Sequence, residues 1–103
     1  MGELTDEELD ALIEQATVDA YGDDEQRSGF LVMIEEELAL PFETTVLGVP
    51  VTVTGIEQAD DSSIVAVCRR GTVTQRIGVL DLPLLDPLPE GAQWIEAYRR
   101  WAP

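Results

Sequence analysis

The chain has 103 residues, 45% of them apolar, with 21 Asp or Glu, six Arg, no Lys and no His, for a formal net charge of −15. That apolar content implies a folded protein, and the length holds one core, so a single domain over 1–103 is expected. The missing His and the lone Cys68 exclude a Ser-His or Cys-His catalytic pair, His-ligated zinc, an internal disulfide and a thiolate cluster, while the charge repels phosphate backbones and anionic lipid.

Thr5 with Glu8 three residues on forms a capping box, and Asp6, Glu7 and Glu8 suit the positive end of a helix dipole. A first helix is therefore predicted over residues 5–21, with Leu9, Leu12, Ile13, Ala16 and Ala20 as its apolar stripe and Gly22 as its stop. A second helix starts at Asp23 or Asp24, either of which can cap it, and runs to about Leu40. It buries Phe30, Met33, Ile34 and Leu38 and ends before Pro41. So short a junction predicts an antiparallel helical hairpin.

After Pro41 the apolar period changes to alternation. Strands are predicted at Thr44–Leu47, Val49–Ile56, Ile64–Arg70 and Thr72–Val79. Gly48 and Gly55 mark bends or bulges, Ala59 to Ser63 a polar turn, and Gly71 a tight reversal. Short strands with close turns predict a small SH3-like antiparallel β-barrel. Pro83, Pro87 and Pro89 make the stretch from Asp81 an extended connector. From Pro89 a short C-terminal helix carries Trp94, Tyr98 and Trp101 on one face, with Arg99 and Arg100 in its last turn. The expected class is α+β: an acidic helical layer (1–43), a barrel-like part (44–88) and a final helix (89–103).

The charge is unevenly spread. Residues 1–43 hold fourteen carboxylates against Arg27 alone. Asp19, Asp23, Asp24 and Glu25 gather at the helix junction, and Glu35, Glu36, Glu37 and Glu43 gather at the far end of the second helix. A rise of 1.5 Å per residue separates the groups by about 15–18 Å, too far to share one ion. Such crowding is either a solvated face or a seat for a hard dication, and calcium accepts six to eight oxygens in flexible geometry. Asp24, Gln26, Ser28, Gly29 and Glu35 occupy positions 1, 3, 5, 6 and 12 of an EF-hand loop, but two of these lack carboxylates. The helical period also continues from Phe30 to Leu38, so an EF-hand is not expected.

The run from Val18 to Gln26, with Glu35-Glu36-Glu37-Leu38, Leu40-Pro41-Phe42 and the aromatic ending Trp94 to Trp101, resembles the small acidic calcium-binding proteins of the cyanobacterial CcbP type. The resemblance spans most of the chain from residue 18. It implies calcium bound without an EF-hand, by carboxylates of the helices and of their junction with the sheet. Carried over by position, the implied ligands are Asp19, Asp23, Glu25, Glu36 and Glu37. Ala39 stands where members of that family can place an acidic residue.

Other residues have plainer readings. The aromatic stripe of the last helix is expected to be packing, Cys68 a buried inert thiol, and Asp60 and Asp61 turn formers. Arg69, Arg70 and Arg76 are expected to counter the acidic helices or to remain solvated, with anion binding as the alternative. No carboxylate pair is singled out by spacing, so no enzyme is expected. The opening Met-Gly-Glu-Leu-Thr-Asp-Glu-Glu lacks the basic region of a secretory signal, which leads to the expectation of a soluble cytoplasmic protein. Two functions follow: a calcium buffer or sensor, or an acidic interaction module whose SH3-like sheet or negative face docks a basic protein partner, with no metal role.

Overall fold

Thr5 opens the fold in the way its spacing predicts. In the computed structural model, which describes residues 4–85 and 88–102, its hydroxyl accepts the Glu8 N–H at 3.1 Å and its own N–H donates to the Glu8 carboxylate at 2.9 Å. The helix so capped, α1, spans Asp6–Ala16 and stops short of the predicted Tyr21. Thr17 and Val18 are β-branched, and the Thr17 hydroxyl donates to the Ile13 carbonyl at 2.7 Å, competing with the backbone ladder. Asp19 then turns out of the helix with φ at 62°.

Helix α2 spans Asp23–Glu37 without interruption, which leaves no room for an EF-hand loop. Its N-cap is Gly22, so Asp23 and Asp24 lie inside the first turn, where their charges meet the helix dipole rather than capping it. The helix ends at Leu38 because the next N–H, that of Ala39, donates to the Glu90 carbonyl at 2.8 Å instead of to its own helix. Leu40–Pro41 is a cis peptide bond. Residues 17–22 separate the helices, more than predicted, and α1 packs on the C-terminal helix as well as on α2.

Four strands follow: β1 (Phe42–Val46), β2 (Val49–Gln58), β3 (Ile64–Arg70) and β4 (Val73–Gly78), antiparallel in the order β1-β2-β3-β4. Leu47-Gly48 and Gly71-Thr72 are two-residue turns, and the register slips between Val53 and Gly55, where a bulge was expected. The predicted SH3-like barrel does not form. Strands β1 and β4 are both free edges, and closure would require them to meet with a matched tilt and stagger. The inner face is covered instead by the helices and by the connector, to which Thr44 is tied through its hydroxyl bond to the Pro83 carbonyl. Among the described residues no helix is long and apolar enough to cross a membrane.

The last helix, α3, spans Ala92–Trp101 and closes the core. Phe30, Ile34, Val53, Ile64 and Ile95 are fully or almost fully buried at its centre. Trp94 and Tyr98 are buried too, and Trp101 stacks on Tyr98 with centroids 5.9 Å apart while its indole N–H donates to Gln26 at 2.9 Å. The aromatic stripe is therefore packing. Cys68 is buried, and that burial pushes its thiol up, away from reactivity. Asp61 accepts the N–H and hydroxyl of Ser63 and shapes its turn.

Candidate metal centre

The acidic residues occupy two separate places, one at each end of α2. At the first end, α2 crosses the last residue of α1 at touching distance: a Cβ on Gly29 would lie 1.9 Å from the Ala16 carbonyl oxygen. Only glycine permits that approach, and the junction it creates has an open depression of about 380 Å³ beside it. Asp19, Asp24, Glu25 and Ser28 supply its polar lining, with Val18 and Ala20 between them. Asp19 arrives there through its left-handed turn, and Asp24, Glu25 and Ser28 through one face of α2.

Asp19 and Glu25 are thus gathered in one place. Asp23 lies beside them in sequence but does not line the depression, and Asp24 takes that place. The signal for Asp24 is Gly29: the side of α2 that meets α1 carries Gly29 with Glu25 four residues before it and, on the adjacent row, Ser28 with Asp24 four residues before it, which selects Asp24 over Asp23. Glu36 and Glu37 stand eleven and twelve residues beyond Glu25, about 16–18 Å along the axis, and belong to a different place. Both are exposed, as is Glu35. They sit at the negative end of the helix dipole with no basic residue in the last turn, an arrangement that favours a cation nearby. Gly91 seals the end of the helix itself, since a Cβ there would lie 2.1 Å from the Glu37 carbonyl oxygen.

Arg27 is the neighbouring cation of the junction. Its guanidinium nitrogen stands 3.6 Å from Asp24 and its guanidinium carbon 5.4 Å from the centroid of the Trp101 ring. Arg100 serves the outer side of α1, pairing with Asp10 at 2.8 Å and Asp6 at 3.4 Å. The hydrogen bond from Arg100 is the main reason that the Asp10 carboxyl is held below its ordinary value. The strand arginines do not counter the helices: Arg76 pairs with Glu57 at 2.8 Å, and Arg70 donates to the Pro50 carbonyl at 3.3 Å.

The donors at the junction are hard oxygens, the type that calcium and magnesium take. Among the described residues, however, no three Asp, Glu or Cys side chains converge closely enough to form a metal-holding group. The donor chemistry fits a hard dication, and the carboxylates line one depression with their side chains spread into solvent rather than drawn into a shell.

The architecture matches that of a solved protein. The chain aligns with the crystal structure of Anabaena CcbP at a TM-score of 0.79, covering 97% of this chain and 93% of that one, with 19% sequence identity. Likeness at that identity is likeness of fold. No family model matches the chain, and no curated protein matches it.

Proposed function

We propose that this chain binds calcium ions without an EF-hand, as a cytoplasmic buffer or sensor rather than an enzyme. Asp19, Asp24 and Glu25 hold the ion at the α1–α2 junction, with Ser28 beside them and Asp23 adding charge from the rim. The carrying observation is the meeting of Asp19 with the first-turn carboxylates of α2 around one open depression. The fold shared with Anabaena CcbP and the resemblance of the acidic segments to that calcium-binding type support the reading. Hard carboxylate oxygens on exposed side chains can close round a large dication that accepts varied geometry, and calcium meets that condition better than magnesium. Neutralising part of the −13 carried by residues 1–43 also relieves a repulsion that Arg27 and Arg100 together do not offset.

Calorimetric titration with Ca²⁺ at about 0.15 M salt, with Mg²⁺ as competitor, tests this, because close ligation survives screening that removes diffuse attraction. At a hundredfold excess over Kd the folded state gains about 2.7 kcal/mol, read as a rise in melting temperature. Asp24→Asn and Asp19→Asn should each weaken the heat signal, Asp23→Asn should weaken it less, and Glu36→Gln should leave the junction site intact. An isotherm unaltered by the first two removes the junction as the site. No heat at all removes calcium and leaves the acidic helices as a face for a basic protein partner.

A further inference from the structure

The helix-facing side of the sheet is covered over only part of its length. One rung of the ladder carries Phe42, Val53, Cys68 and Gln75 side by side, and there Val53 and Cys68 are buried. One rung further out Thr44 faces Val51 and Arg70 faces Val73, and at the tip Val46 faces Val49. Cover is lost in that direction: Val49 is 39%, Val73 64% and Leu47 99% exposed. What remains is a groove of about 280 Å³ in which Val46, Val49, Val51, Val73 and Ile77 surround Arg70. No carboxylate among the described residues lines it. Among the described residues neither Arg70 nor its neighbour Arg69 forms an ion pair, and the chain carries no charge from Thr44 to Ile56. In a molecule of net charge −15, the sheet tip is apolar and locally positive.

We propose that this tip docks an extended segment of a partner protein whose groove-facing side chains are apolar with one carboxylate among them, the intervening side chains being polar and turned to the opposite face. The segment lies along the free edge of β4, where unpaired backbone groups offer a template for strand addition. Its apolar side chains enter the groove and a carboxylate meets the Arg70 guanidinium, a charge-assisted pair that gains strength as water leaves. The acidic helical layer does not forbid this, since a Debye length of about 8 Å at physiological salt leaves Arg70 as the near field. A basic segment is drawn to the helices instead, and a second copy brings −15 against −15.

The test is fluorescence anisotropy with three capped, labelled octapeptides of alternating Val and Thr in which one Val is replaced by Glu, by Gln or by Arg (the Val–Glu, Val–Gln and Val–Arg peptides), so that the replaced side chain shares the face of the remaining valines. The Val–Glu peptide should bind at least about tenfold more tightly than the Val–Gln peptide, and Arg70→Gln should remove that preference. Raising salt from about 0.02 to 0.15 M should tighten the Val–Glu complex by screening the distant carboxylates, whereas the Val–Arg peptide should weaken. Val73→Thr, at an exposed position, should weaken Val–Glu binding and carries the test if the Arg70 variant fails to fold. Equal affinity for Val–Glu and Val–Gln, no binding at about 1 mM protein, or indifference to Arg70→Gln and Val73→Thr overturns the proposal. So does a dimer in sedimentation equilibrium that Val73→Asp dissociates, since a second copy then owns the face.

Discussion

The guanidinium of Arg27 lies over the ring of Trp101, 5.4 Å from its centroid, while one of its nitrogens stands 3.6 Å from Asp24. One side chain thus joins the proposed ion site to the last residue of α3. The aromatic ring holds the cation by its quadrupole, and the carboxylate holds it by charge.

An ion that takes Asp24 competes with Arg27 for the same oxygens. Trp101 emission is therefore expected to change on titration with Ca²⁺ and to return on adding chelator. In Arg27→Gln the optical change should shrink while the calorimetric heat remains, and calcium affinity should rise a few-fold, since a pair open to solvent on its Asp24 side, of about 0.2–1 kcal/mol, no longer opposes binding. Unchanged emission in the native protein alongside full calcium heat would detach Arg27 from the site.

Gly29→Ala should be among the most damaging small changes in the chain. The added methyl would lie 1.9 Å from the Ala16 carbonyl oxygen, and backbone on backbone cannot yield as a flexible side chain can. A loss of about 3 kcal/mol is expected, read from the midpoint of a urea transition. Gly91→Ala meets the Glu37 carbonyl oxygen at 2.1 Å and also forces a non-glycine residue to φ 91°, so it should cost at least as much. Gly29→Ala should also disturb calcium binding, whereas Gly91→Ala acts at the other end of α2.

Leu47→Asn should stabilise the protein. Leu47 is almost wholly exposed and sits at φ 51° in a two-residue turn with Gly48 at φ 77°, a pairing that suits Asn-Gly far better than Leu-Gly. Relief of about 1 kcal/mol should raise the melting temperature by about 4 °C. A lower melting temperature would mean that Leu47 makes a contact worth more than its strain.

Acid should weaken the tie between α1 and α3. Arg100 donates to Asp10 at 2.8 Å, and that bond, reinforced by the charge of the guanidinium, lowers the Asp10 carboxyl below its ordinary value. A carboxylate depressed in the folded state stabilises above its unfolded pKa, and the contribution is lost as pH falls through the folded value. Asp61, lowered chiefly by the Ser63 hydroxyl and N–H, follows the same sign. Urea midpoints at about pH 6 and pH 3 should therefore differ less in Asp10→Asn than in the native chain, with Asp61→Asn behaving alike. Parallel curves for native and variant proteins would show that the bond contributes nothing in solution.

The features legible in the sequence were those decided within a few residues. Thr5 and Glu8 lie three positions apart, so their capping box needs no partner elsewhere, and β3 has the bounds that its alternation from Ile64 to Arg70 indicates. Long-range matters were hidden. Gly22 looks like a helix stop, yet α1 has already ended at Ala16, and Gly22 caps α2 instead. Four strands with tight turns suit a barrel or an open sheet equally well; only the meeting or parting of β1 and β4 decides, and no local pattern records it. At the junction the residue types were readable and the individuals less so. Asp23 and Asp24 are chemically alike, and what separates them is the face on which Gly29 meets Ala16.

The open meander has a colloidal consequence. Two strand borders are left without a strand partner, and like charge is what keeps neighbouring molecules from stitching them together. Approaching the isoelectric point near pH 4.1 removes that guard while the borders remain. Turbidity there should fall when a charge is placed on the outer border, as in Thr74→Lys, and the molecule's abundance of carboxylate then reads as a solubility device as well as a binding one.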